Sequence, residues 1–323
     1  MVKKTFSIIL LLFLGLSAAW SHSLESKFKF TLEPTLSLSY ENQGEYLLFD
    51  NKEPASYLEW NIFPIVRSGV KSAISFYNFT LSFEGLYAIP SSSGRMYDSD
   101  WNSSGVKVIY SENQTKLLSD FQASLKLSYD ISLGRFNIHP ALNLIYSQNS
   151  FLAHDGHGWY GISQYSQNGQ EVAWNDENAT YYPHIGGYST YSLYQLFTFM
   201  GCDCYLSLNH RMKIGLGAYI SPYTLIYSAD YHYKSSGAIS KYGFFLQNAW
   251  FNRFRVQTSF SFLIKKDLEF QLSASSILGF KTYGEYLFYD DPYTSGDFFI
   301  TDSGPSASHI ATASLTLGLK KYF

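Results

Sequence analysis

Four ionisable side chains in two short runs could together activate water: Asp98-Ser99-Asp100 and Asp230-Tyr231-His232. The members of each pair stand at i and i+2 in an alternating segment, and a strand's side-chain period of 2 turns both to one face. If the two strands face one another across a cleft, three carboxylates and one imidazole converge. A histidine with a carboxylate partner can take a proton near neutral pH. Two adjoining carboxylates resist double ionisation, so one can keep a proton and donate it. The same groups could be oxygen and nitrogen ligands, but no third cluster at fixed spacing accompanies them, so no metal is expected.

The elements that must position these pairs are strands. From Phe28 the even positions read Phe28, Phe30, Leu32, Pro34, Leu36, Leu38 and Tyr40; the odd ones are Lys29, Thr31, Glu33, Thr35, Ser37 and Ser39. The same alternation recurs over Phe79 to Tyr87, Phe121 to Tyr129, Phe136 to Leu144 and Leu268 to Ala274. Hydrophobic residues make up 46% of the chain, with 28 Tyr and 26 Phe, while only 15% are charged. Apolar residues spread in alternation, with aromatics dominant, are the pattern of a transmembrane barrel and its aromatic girdles. A net charge of −3 gives nucleic-acid binding no electrostatic support.

Short turns are expected near Tyr77-Asn78, Ser132-Leu133-Gly134, Asn209-His210-Arg211 and Lys265-Lys266-Asp267. Longer polar connections are expected near 42–55, 90–117, 152–188, 233–243 and 284–306. The resulting fold class is all-β, a ten-stranded antiparallel transmembrane β-barrel with long extracellular hairpins. The stretch from Arg211 to Asp230 is about 65 Å long at about 3.3 Å per residue. Tilted about 45°, it rises about 45 Å against an apolar band of about 25 Å, which puts Asp230 and His232 above the membrane.

The N-terminus reads as a secretory signal: Lys3 and Lys4 precede an apolar run from Ile8 to Leu16, with small residues at Ser17, Ala18, Ala19 and Ser21. Residues 1–21 are expected to be removed, leaving the barrel over 22–323 in a bacterial outer membrane, its site facing outside. Cys202 and Cys204 sit at i and i+2 on one strand, as incidental thiols or one strained bridge. His154-Asp155-Gly156-His157 could touch a metal, and Asp290, Asp291 and Asp297 make the last loop acidic. Arg253, Arg255 and Glu269 fall on the lumen face and are expected to form ion pairs that fill it.

The two outer tips, Arg95-Met96-Tyr97-Asp98-Ser99-Asp100-Trp101 and Tyr227-Ser228-Ala229-Asp230-Tyr231-His232-Tyr233, resemble those of the omptin family of outer-membrane endopeptidases. Leu58-Glu59-Trp60 and the closing Gly318-Leu319-Lys320 extend the likeness along the mature chain; Lys321, close to the terminal Phe323, departs from the usual assembly signal. The resemblance implies a role for each residue. Asp98 and Asp100 form a carboxylate couple on one wall, His232 is the general base, and Asp230 orients it. Water attacks the scissile carbonyl directly. In the family two carboxylates receive a basic P1 side chain; Glu45 matches one, but Ser228 replaces the other, so a basic preference is weakened.

No cofactor is implied. Lipopolysaccharide is a possible activator, held in the family beside a stretch that Ser150-Phe151-Leu152-Ala153 matches. Here Gln148 replaces an Arg and Tyr146 a Glu, so that motif is not preserved. The implied partners are protein or peptide substrates at the cell surface and outer-membrane lipid. The leading alternative is a non-catalytic barrel of the same kind serving as a surface adhesin. A small pore fits less well, because ten strands enclose a lumen largely filled by side chains.

Overall fold

The computed structural model describes residues 28–233, 239–290 and 299–323. The expected signal segment lies outside the described residues, as do Asp291 and Asp297. Fourteen strand segments follow in chain order: β1 (Phe28–Leu48), β2 (Pro54–Phe76), β3 (Phe79–Ala88), β4 (Ser91–Trp101), β5 (Lys107–Tyr129), β6 (Ile131–Leu133), β7 (Phe136–Tyr160), β8 (Thr180–Ser207), β9 (Met212–Tyr233), β10 (Ile239–Trp250), β11 (Arg253–Lys265), β12 (Leu268–Gly279), β13 (Thr282–Asp290) and β14 (Phe299–Tyr322). Several are halves of one stave. β3 and β4 both lie between β2 and β5, and β10 and β11 both pair with β9. β12 and β13 both pair with β14, and β14 returns to β1. The result is a closed antiparallel ring of ten strands.

Closure imposes the alternation that the sequence shows. Leu36, Leu38, Val66, Val70, Leu81, Phe83, Leu125, Leu127, Leu142, Leu216, Val256, Leu315 and Leu317 are exposed on the outer face, as a lipid-facing band requires. Aromatic pairs bound it at one end, Phe28 on Phe76 and Phe79 on Tyr129 with ring centroids 4.5 and 4.9 Å apart. At the other end stand Tyr223 beside Trp250 and Phe254 beside Phe280.

The turns fall where Gly and Asn signal them. Gly134 has φ of 66° in the β6–β7 hairpin, and Asn209 Oδ1 accepts from the amides of Arg211 and Met212 at 2.8 and 2.9 Å. The polar connections differ from expectation. Most of 90–117 is strand, as are 152–160, 180–188, 284–290 and 299–306, and the irregular segment after β4 shrinks to residues 102–106. Above the lipid band the outer face no longer needs apolar residues, so the period-2 signal fades while the hydrogen-bonded ladder continues.

The lumen is filled by polar side chains, but not by the expected pairs. Arg253 and Arg255 face Gly279 and Ile277 across the ladder, whereas Glu269 lies at the other end of β12 opposite Leu263. Arg253, with no exposed surface, lies 4.8 Å over the Phe197 ring, and Arg255 lies 5.8 Å over Tyr219. Glu269 accepts instead from Gln271 Nε2 at 2.7 Å and the Tyr322 hydroxyl at 2.8 Å. The buried pairing is made by Arg67, whose Nε and Nη2 donate to the two oxygens of Asp120 at 2.6 and 2.5 Å while Nη2 also reaches Glu41. Lys126 pairs with Asp203 Oδ2, and Asp203 Oδ1 accepts from Gln257 Nε2 at 2.6 Å. Cys202 and Cys204 are free thiols.

Removing the Arg67 cation leaves two buried carboxylates uncompensated. Arg67→Ala is expected to destabilise the barrel by about 3–5 kcal/mol, read as a lowered denaturant midpoint for loss of heat-modifiable gel mobility. An unchanged midpoint would show that the Glu41–Arg67–Asp120 bridge is energetically idle.

Candidate active site

The first wall of the site is β4. Its reach beyond the membrane depends on a tight turn, in which Asn102 Oδ1 accepts from the amides of Ser104 and Val106 at 3.1 and 2.9 Å and Gly105 takes φ of 76°. Asp98 stands in register with Leu58 of β2 and Ser111 of β5, and Asp100 with Ser56 and Ile109. Ser99, between them, turns the other way and accepts from Lys107 Nζ at 3.1 Å. Glu45 on β1 is opposite Leu58, so Glu45, Leu58 and Asp98 lie on one cross-strand row.

The second wall is β9, held between β8 and β10. Asp230 is opposite Tyr191 and Gly243, and His232 is opposite Ser189 and Lys241. His232 Nε2 donates to Asp230 Oδ2 at 2.7 Å, and Ser189 Oγ donates to Asp230 Oδ1 at 2.6 Å. Asp230 thus has both oxygens engaged, and the other imidazole nitrogen, Nδ1, is left to act on a ligand.

All four residues singled out by spacing therefore belong to one electrostatic unit. Burial pushes the Asp98 carboxyl well up, the charge of Asp100 adds to this, and Asp230 adds again, with His232 opposing. Asp100 is also raised by burial, against a hydrogen bond from Ser56 and the charges of His232 and Lys241. Asp230 goes the other way: burial opposes ionisation, but the His232 charge and the bonds from His232 and Ser189 outweigh it and hold the carboxyl low. The same pairing overrides burial at His232 and holds its imidazole above the ordinary value. Both carboxyls of one wall are shifted toward their protonated forms, while the groups of the other are shifted toward an ion pair.

Glu45 and Ser228 also meet. Ser228 Oγ donates to Glu45 Oε2 at 2.5 Å and the Tyr191 hydroxyl to the same oxygen at 2.9 Å. Glu45 is only 3% exposed, and burial, aided by Asp230, pushes its carboxyl up to about 8 against the two hydroxyl bonds. Below this lies an apolar floor. Trp60 stacks on Tyr191 and Phe151, centroids 5.4 and 5.8 Å away, within a cluster that includes Met96, Leu193 and Ile226. A dry floor strengthens every charge interaction above it.

Several participants carry no sequence signal of their own. Ser189 matters only because register sets it opposite His232. Tyr188 stacks on His184, centroids 4.5 Å apart, and meets the edge of His232 at 6.2 Å. His184 is itself fixed by Asn113 at 3.0 Å and the Tyr160 hydroxyl at 2.9 Å, and Tyr160 bonds to Tyr188. This buried aromatic group backs the gap between the walls. A polar Tyr in a Tyr-rich chain could not be picked out without the ladder.

Other candidates disperse. No cluster of three or more His, Cys, Asp or Glu suited to a metal ion occurs among the described residues. Asp155 accepts from His154 Nδ1 at 2.9 Å and from the Gly186 amide at 2.8 Å, a clip across two strands. His157 packs on Trp159 and Tyr181 instead. In the stretch compared with a lipid site, Phe151 is fully buried in the floor and Tyr146 donates to Gln148 Oε1 at 3.4 Å.

No protein-family model matches the sequence, and no curated protein matches it. Among solved structures, the outer membrane protease OmpT from Escherichia coli superposes with a TM-score of 0.74 at 15% identity, covering 94% of this chain and all of that one. This is an outer-membrane barrel fold. Neisserial surface protein A and OprG from Pseudomonas aeruginosa also align, over 91% and 92% of the chain at 9% and 10% identity, but with TM-scores of 0.29 and 0.33. At such identities the likeness extends to the fold alone.

The His232–Asp230 pair can be tested without any substrate. In isotope-labelled barrel in detergent, the imidazole should titrate above its ordinary value of about 6.5. Asp230→Asn removes the charge that favours the imidazolium, so the midpoint should fall. A midpoint that stays put would dissolve the pair as a unit.

Proposed function

We propose that the protein is an outer-membrane endopeptidase that hydrolyses peptide bonds in an extracellular groove, using water activated by His232 and Asp230 opposite Asp98 and Asp100. The observation that carries this reading is the 2.7 Å bond from His232 Nε2 to a buried Asp230, facing a carboxyl couple that burial holds toward its protonated form. The OmpT-like fold supports it.

In this mechanism the peptide lies between the walls. His232 Nδ1 takes a proton from water as its oxygen bonds to the scissile carbonyl carbon, and Asp230 stabilises the imidazolium. Asp98, keeping its proton, donates a hydrogen bond to the carbonyl oxygen as negative charge grows there. Collapse of the tetrahedral adduct breaks the C–N bond, and the imidazolium returns its proton to the leaving amine. The side chains end as they began, and no bond to the protein forms. Outer-membrane lipid surrounds the band below; activation by lipopolysaccharide would have to use groups other than Tyr146 and Gln148.

Refolded barrel should cut members of a diverse peptide library, read by mass spectrometry with and without lipopolysaccharide. His232→Ala and Asp98→Ala should each lower kcat by about 10²–10⁴-fold. Cleavage that persists in both variants, or no cleavage by the parent, would sink the peptidase reading and leave a surface-binding barrel. The pH profile has a sign. The acid limb should lie above pH 6.5, where the raised His232 loses its proton, and move to lower pH in Asp230→Asn. Activity should also depend on the Asp98 proton, whose loss burial and Asp100 shift to higher pH.

A further inference from the structure

The groove holds a cation that the hydrolytic mechanism leaves unused. Lys241 on β10 is opposite His232 in the ladder, so the two side chains share a face. Two places on, Gly243 is opposite Asp230 and has no side chain. The Phe288 ring lies across that gap: a Cβ at Gly243 would stand 2.4 Å from Phe288 Cε1. Phe288 is itself buried against Phe245 and Tyr286, centroids 5.6 and 5.4 Å away. Lys241 Nζ rests over this fixed ring, 4.1 Å from its centroid, a cation–π contact that places the ammonium rather than letting it wander. From there it acts on Asp100 of one wall and on Asp230 and His232 of the other.

The negative groups that could welcome a basic side chain are meanwhile withdrawn. Ser228 offers a hydroxyl. Glu45 is sealed behind Ser228 and Tyr191, which both donate to it, above the Trp60 floor. An entering guanidinium would have to strip those donors away while passing a fixed ammonium, and like charges at close range are costly to juxtapose.

We propose that this groove selects peptides bearing an acidic side chain beside the scissile bond, and that Lys241 is the residue that binds that carboxylate. The proposal rests on the peptidase reading of the same site. It replaces the weakened basic preference expected from the sequence with the opposite sign.

The experiment compares parent, Lys241→Met and Lys241→Glu barrels on matched peptides that carry Glu, Gln or Lys next to the cut. Folding is checked by heat-modifiable mobility. The parent should favour Glu over Lys peptides by about tenfold, the scale of one charge-assisted contact; Lys241→Met should flatten the preference and Lys241→Glu should invert it. Preference for Lys peptides, or a preference that neither variant alters, overturns the proposal and leaves peptidase activity intact. Fluorescence anisotropy of the same peptides on an Asp98→Asn barrel, silenced for cleavage, separates the two ideas. Tighter binding of Glu peptides, lost in Lys241→Met on that background, supports charge selection even if no peptide is cut. Equal binding of Glu and Lys peptides overturns it.

Discussion

Everything in this molecule depends on the ladder between β14 and β1, which turns an open sheet into a ring. Once the ring closes, no side chain has a free choice of face. Glu41, Gln43 and Glu45 must point inward because Leu36, Leu38 and Tyr40 on the same strand must meet lipid. The same parity carries Asp98, Asp100, Asp230 and His232 inward from staves on different sides of the ring. Their convergence is a consequence of closure, not of local sequence.

Layering then decides what the convergent groups can do. The lumen at membrane depth is polar and cross-linked by Arg67, Glu41 and Asp120. Above it the Trp60, Phe151 and Tyr191 layer seals the groove from that polar lumen. Acids set on a dry floor are shifted toward their protonated forms unless a cation stands beside them, and Asp230 has one at bonding distance in His232. One geometry therefore favours an ion pair on one wall and shifts the carboxyls of the other toward their protonated forms. The withdrawal of Glu45 belongs to the same logic, since a buried carboxyl bonded by two hydroxyls is a poor counter-ion.

Much of this was legible in the sequence. Alternation from Phe28 to Tyr40 showed the barrel, four short turns gave its even strand number, and i, i+2 spacing picked out the two pairs that line the candidate site. Alternation failed above the lipid band, where 90–117 and 152–188 read as loops although most of the first and both ends of the second are strand. It also misjudged Arg253 and Glu269, which share a face but stand at opposite ends of their hairpin. Ser189, Tyr188 and Lys241 could not be found at all, because each acts through a cross-strand neighbour whose register the sequence does not state. Ser228 was visible as a departure; that it would donate to Glu45 was not.

The most direct test of the central claim, that the two walls work as one site, is a double-mutant cycle on peptide hydrolysis joining Asp98→Asn and His232→Ala. Groups that act as a unit lose most of their effect with the first removal. The double variant should therefore cleave about as slowly as the worse single variant. Losses that multiply across the two substitutions would contradict a shared site and show two walls acting independently.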